Sequence, residues 1–95
     1  MNTFPMRIFL DTETILMIQC IAASNTSIDI GKLLSAMKDI SSDFIQSVEV
    51  GEPRMMLPIS DPDTKRLIIE ETNRHSVSPE KYIKAAVSFL HRVSG

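Results

Sequence analysis

The segment Gly51-Glu52-Pro53 is the strongest turn signal in the chain, and it lies near the middle. Glycine and proline so close together interrupt a helix or a strand, because one loosens the backbone and the other removes an N–H donor. The stretches on its two sides have the same order of elements. Before the turn, Pro5-Met6-Arg7-Ile8-Phe9-Leu10 has the β-branched and aromatic content of a short strand. Asp11 or Thr12 then offers a helix N-cap, with Glu13 in the first turn, where the macrodipole favours an acid. Residues 13–24 are apolar nearly all round, which predicts a largely buried helix ended by Ser24-Asn25-Thr26-Ser27. Asp29 can cap a second helix, whose stripe Ile30, Leu33, Leu34, Met37, Ile40 and Phe44 has three- and four-residue spacing. Ser41-Ser42-Asp43 could instead break it and leave Phe44–Val50 as a strand.

After the turn, Arg54-Met55-Met56-Leu57-Pro58-Ile59 reads as a second strand, with Pro58 confined to an edge or an end. Asp61-Pro62 starts a third helix running from Pro62 to His75. Ser78-Pro79-Glu80 opens a fourth, with Ser78 as its cap. Tyr82, Ile83, Ala86, Val87, Leu90 and Val93 make its apolar face, and Lys81, Lys84, His91 and Arg92 are read as surface groups. The fold class is therefore mostly α with short β-strands (α+β), in the order β-α-α-β-α-α. A shift of about 49 positions aligns Ile8 with Leu57, Leu10 with Ile59 and Lys32 with Lys81.

With 95 residues, residues 1–95 have room for a single domain, with halves at 5–48 and 54–93. Trp is absent and aromatics are 5% of the chain, so the core must be aliphatic and Met-based. Cys20 is the single cysteine, which excludes an intramolecular disulfide; its apolar run predicts a buried thiol. No apolar stretch approaches the ~20 residues of a membrane span, and the start has no signal-peptide pattern, so a cytoplasmic protein is expected. His75 and His91 lack ligand spacing and read as solvated, and Asp61 and Asp63 read as capping groups rather than a cation site. No catalytic motif and no cofactor or metal signature is present, so the chain is expected to be a binding protein and not an enzyme.

Residues 54–93, and most specifically Ser76-Val77-Ser78-Pro79-Glu80-Lys81-Tyr82-Ile83-Lys84-Ala85-Ala86-Val87, resemble the ribbon-helix-helix (Arc/MetJ-like) family of DNA-binding proteins. The resemblance implies that two strands pair antiparallel into a ribbon that enters the major groove, while the second helix of each module turns its N-terminus to a phosphate. Carried onto this chain, Met55, Leu57 and Ile59 would face inward, while Arg54, Met56 and Pro58 would face the groove. Arg7 and Phe9 form the equivalent set in the first half, and Ser78, Lys81 and Lys32 would hold phosphates. The connection from the second strand to the third helix is about one residue longer than the family's usual one.

Three arrangements are open. If both halves are modules, residues 5–10 pair with 54–59 inside one chain as a pseudo-dimer. If only the second half is, two chains pair as a homodimer. If neither is, Phe44–Val50 and Arg54–Ile59 form a hairpin around Gly51. The resemblance implies a partner of double-stranded DNA and a transcription regulator, a repressor or an antitoxin-like autoregulator. The alternative is a protein-protein interaction module, an inhibitor, immunity factor or adaptor. It is motivated by the net charge of −2, the six Met and the apolar side chains among the groove-facing positions.

Overall fold

The computed structural model describes residues 6–24 and 40–94. Among them the order is β1 (Met6–Asp11), α1 (Thr12–Ser24), α2 (Ser42–Ser47), β2 (Pro53–Ile59), α3 (Pro62–His75) and α4 (Pro79–Ser94). This is an α+β arrangement of four helices and one two-stranded antiparallel sheet. The expected helix from Asp29, and Lys32 with it, lies outside the described residues.

The sheet pairs a strand from the start of the chain with one from its middle, across the intervening helices α1 and α2. β1 and β2 pair with Met6 opposite Ile59, Arg7 opposite Pro58, Ile8 opposite Leu57, Phe9 opposite Met56 and Leu10 opposite Met55. The hairpin of Phe44–Val50 against β2 is therefore not formed. Ser41 acts as an N-cap instead, its Oγ accepting the Phe44 N–H at 3.2 Å, and Phe44 lies in the first turn of the short helix α2 rather than continuing a longer stripe.

Alternation puts one face of the ribbon on the helices. Ile8, Leu10 and Ile59 are buried there and Leu57 is half-buried. Met55, expected inward, is exposed. Past Met55 the register shifts, with Asp11 opposite Pro53, so that Arg54 is the extra residue of a β-bulge and the inward-outward alternation ends before it.

The core continues through Ile21 of α1, Ile45 of α2, Ile68 of α3 and Tyr82, Ile83, Ala85, Ala86 and Val87 of α4. α4 is the central element and packs on α1, α2, α3 and β1. Tyr82 is fully buried with its hydroxyl unpartnered; burial first, and then the Glu71 charge, push its phenol up to about 12. Glu71 is itself buried, with Oε1 3.3 Å from Arg74 Nη2 but outside hydrogen-bonding geometry. His75 is half-buried and stacks on Tyr82 rather than standing in solvent.

α1 departs from its expected burial. Thr14 and Ile21 are buried, but Leu16 is 55% exposed and Cys20 is exposed too. The apolar run supplies more hydrophobic surface than the adjoining ribbon and α4 cover.

The α3–α4 corner follows its sequence signals closely. Asp61 caps α3, and Ser76 ends it in the left-handed region at φ 56°, where its N–H bonds Asn73 O and the Val77 N–H bonds Thr72 O. Ser78 then caps α4, its Oγ accepting the Lys81 N–H at 3.2 Å.

Candidate functional site

The outward face of the ribbon carries Arg7, Phe9, Met56 and Pro58, all exposed, with exposed Arg54 at the bulge. Phe9 and Met56 stand directly opposite each other at its centre and remain 47% and 43% exposed. The Phe9 N–H points away from β2 and donates to Glu80 Oε2 at 3.3 Å. The Phe9–Met56 pair is therefore of the closer type that exchanges no ladder hydrogen bonds, and the two side chains form one apolar patch.

Arg7 and Arg54 occupy strand positions on either side of this pair. Arg7 is level with Pro58, and Arg54 stands four positions before Pro58, or ~13 Å along the strand. Arg54 has a loose contact with Glu52, Nη2 to Oε2 3.9 Å, with both side chains mostly in solvent. Such a pair is worth little and yields readily to a stronger anion.

The first turn of α4 flanks the ribbon. Ser78 is exposed and Lys81 half-buried. Glu80, whose role the sequence does not reveal, reaches from this turn to the outer edge of β1 and satisfies a strand N–H that would otherwise be bare.

Beneath the bulged end, Lys84 corrects a second expectation. Read as a surface lysine, it is only 6% exposed. Its Nζ donates to Asp11 Oδ2 at 2.7 Å and to the Glu49 carbonyl, and lies 3.1 Å from Glu13 Oε1. Asp11, 3% exposed, also accepts the Gly51 N–H at 2.8 Å and the N–H and hydroxyl of Thr14. Burial alone would push the Asp11 carboxyl up, but the bonds from Lys84, Thr14 and Gly51 outweigh it and hold it well below the usual carboxylate range. Burial likewise pulls Lys84 down, and its bonds to Asp11 and Glu13 more than offset this, leaving it above the ordinary lysine value. This cluster ties β1, α1, the approach to β2 and α4 together.

An open cleft of about 760 Å3 lies over the cluster, lined by Glu13, Glu49, Arg54, Lys84 and Arg92 among others. Its cations are engaged: Lys84 in the cluster, Arg92 with its guanidinium carbon 5.5 Å from the centre of the Phe44 ring, and Arg54 toward Glu52. Among the described residues no three His, Cys, Asp or Glu side chains are grouped to hold a metal ion, and no helix is long and apolar enough to cross a membrane.

The sequence-expected residues thus fall into one group on the ribbon, Arg7, Phe9, Arg54, Met56 and Pro58, and a second at the start of α4, Ser78 and Lys81. Glu80 is detectable in the sequence only as a first-turn acid, since its partner Phe9 is remote along the chain. No protein-family model matches the chain, and no curated protein and no solved structure matches it.

Proposed function

We propose that this chain is a small, non-enzymatic DNA-binding regulator of ribbon-helix-helix type, in which both strands of the ribbon come from one polypeptide. The observation that carries the reading is the pairing of β1 with β2, inward side chains on the helices and outward side chains exposed. A two-stranded ribbon of this kind fits the major groove, where side chains standing off its outer face meet base edges. Arg7 and Arg54 are the donors for guanine, and Ser78, Lys81 and the first turn of α4 take a flanking phosphate. The role is a repressor or an antitoxin-like autoregulator.

Fluorescence anisotropy with a random-sequence duplex at two salt concentrations tests this. Binding should weaken steeply with salt, and Arg7→Ala and Arg54→Ala, each removing one cation from the face, should each weaken it and flatten its salt dependence by about one charge. Absence of binding at low salt, or indifference to both substitutions, overturns the reading.

A second reading, a protein-interaction module, is favoured by one observation. The centre of the exposed face is apolar, and Glu52 and Glu80 border it. Recovery of a stoichiometric protein partner, with no DNA retained at low salt, would support it.

A further inference from the structure

We infer that the Phe9–Met56 patch reads the C5-methyl groups of thymine, so that the target of the ribbon is a short A·T run bracketed by G·C pairs; this rests on the DNA reading above. The patch lies on the outward face, with Arg7 at the next outward pair toward one end of the ribbon and Arg54, at the bulge and beside the cleft, toward the other. A ribbon seated in the major groove presses that patch onto base edges. Neither Phe9 nor Met56 carries a conventional donor or acceptor of useful strength. Any base amino or carbonyl group they cover loses its water without gaining a partner, which disfavours contact with the polar edges of G·C pairs. Thymine is the base that presents an apolar group in the major groove, and contact with its methyl is the favourable use of such a patch.

The spacing agrees with this. The ~13 Å between the levels of Arg7 and Arg54 corresponds to about four base steps at 3.4 Å each. Two guanines that far apart leave room between them for the A·T pairs under Phe9 and Met56. The closeness of the two side chains makes the patch continuous, so methyl groups on adjacent steps are covered together.

Three duplexes of equal length test the inference by anisotropy at one low salt concentration. The first has a run of A·T pairs between G·C pairs; in the second every thymine is replaced by deoxyuridine, which removes only the methyl; in the third the run is G·C. Burying one methyl is worth about fourfold in affinity, so losing two should weaken the deoxyuridine duplex about fifteenfold, and the G·C duplex at least as much. Phe9→Ala, at a half-exposed position, should fold normally by thermal melting, still bind, and lose most of the difference between thymine and deoxyuridine. Equal affinity for these two duplexes, with salt-dependent binding intact, overturns the methyl reading and leaves DNA binding standing. No binding to any of the three overturns both.

Discussion

The two strand-to-helix joints are built from the same four-residue unit and put to different use. At the first, Asp11 caps α1 by accepting the N–H of Thr14 at 2.8 Å and its hydroxyl. At the second, Asp61 caps α3 by accepting the N–H of Thr64 at 2.9 Å and its hydroxyl at 2.7 Å. Asp61 is exposed, and among the described residues its carboxylate bonds Thr64 alone. Asp11 is buried, and its second oxygen takes the Gly51 N–H and the Lys84 ammonium. One joint starts a helix; the other starts a helix and also fastens the bulged end of the ribbon to α4. The comparison teaches that a capping residue gains structural weight from whatever its free oxygen reaches, which local sequence does not encode.

Lys84→Met should break the comparison most strongly. It leaves Asp11 as a buried charge without its cation, a change that costs about 3–5 kcal/mol. A domain of this size has total stability on the order of 5–14 kcal/mol, so thermal melting should reveal a large fall, with the ribbon loosened at Arg54. The difference should also depend on pH. The Asp11 carboxyl lies lower in the folded chain than in the unfolded one, so its stabilisation is present above the ordinary carboxylate value, about 4, and is lost as pH falls through the folded value. Without Lys84, the carboxyl loses the bond that does most to hold it down. The gap in Tm between the wild type and Lys84→Met should therefore be full near neutrality and narrow below about pH 4. A gap that stays constant on acidification would mean that the Asp11–Lys84 pair is not its source.

How far the sequence is legible tracks the range of the interactions. α3 and the start of α4 follow from Asp61-Pro62 and Ser78-Pro79, since a cap acts on the next three residues. The strands and their buried faces follow from alternation through Ile8, Leu10 and Ile59, until the bulge at Arg54 ends that pattern and leaves Met55 exposed. Ser41-Ser42-Asp43, read as a possible break before a strand, starts the helix α2 instead of that strand, because the same residue types serve both ends of a helix. The burial expected of α1 exceeds the burial found, because an apolar run measures supply and not the surface available to cover it. Lys84 and Glu80 are opaque for a different reason. Their partners Asp11 and Phe9 lie 73 and 71 residues away, and amphipathic periodicity says nothing of such pairs. On the ribbon, the outward identities of Arg7, Phe9, Met56 and Pro58 are readable, and their mutual register is not.

Asp61→Ala sharpens the comparison from the weaker side. Removing an exposed N-cap from α3 should cost about 1 kcal/mol, with the Thr64 hydroxyl losing a partner as well. Asp11→Ala removes the equivalent cap together with the Lys84 and Gly51 bonds, so it should cost several times more. Equal losses by chemical denaturation would show that the second oxygen of Asp11 contributes little and that the two joints are energetically alike.

Gly51→Ala probes the smallest part of the difference, the approach of the turn to Asp11. Gly51 does not take a positive φ, so the turn needs no left-handed residue there. What it needs is nearness: a Cβ at this position would stand 3.4 Å from Asp11 Oδ2 and 3.5 Å from Asp11 Cβ. These lie at the near limit of ordinary contact, and they crowd the carboxylate oxygen that also receives Lys84. Against this, alanine restricts the unfolded chain and would by itself stabilise by about 0.4–1 kcal/mol. The two effects should nearly cancel, leaving a net change within about 0.5 kcal/mol, the range of a neutral substitution. A loss well beyond that would mean that the Gly51 N–H bond to Asp11 tolerates no displacement, and that the turn, and not Lys84 alone, fixes the bulged end of the ribbon.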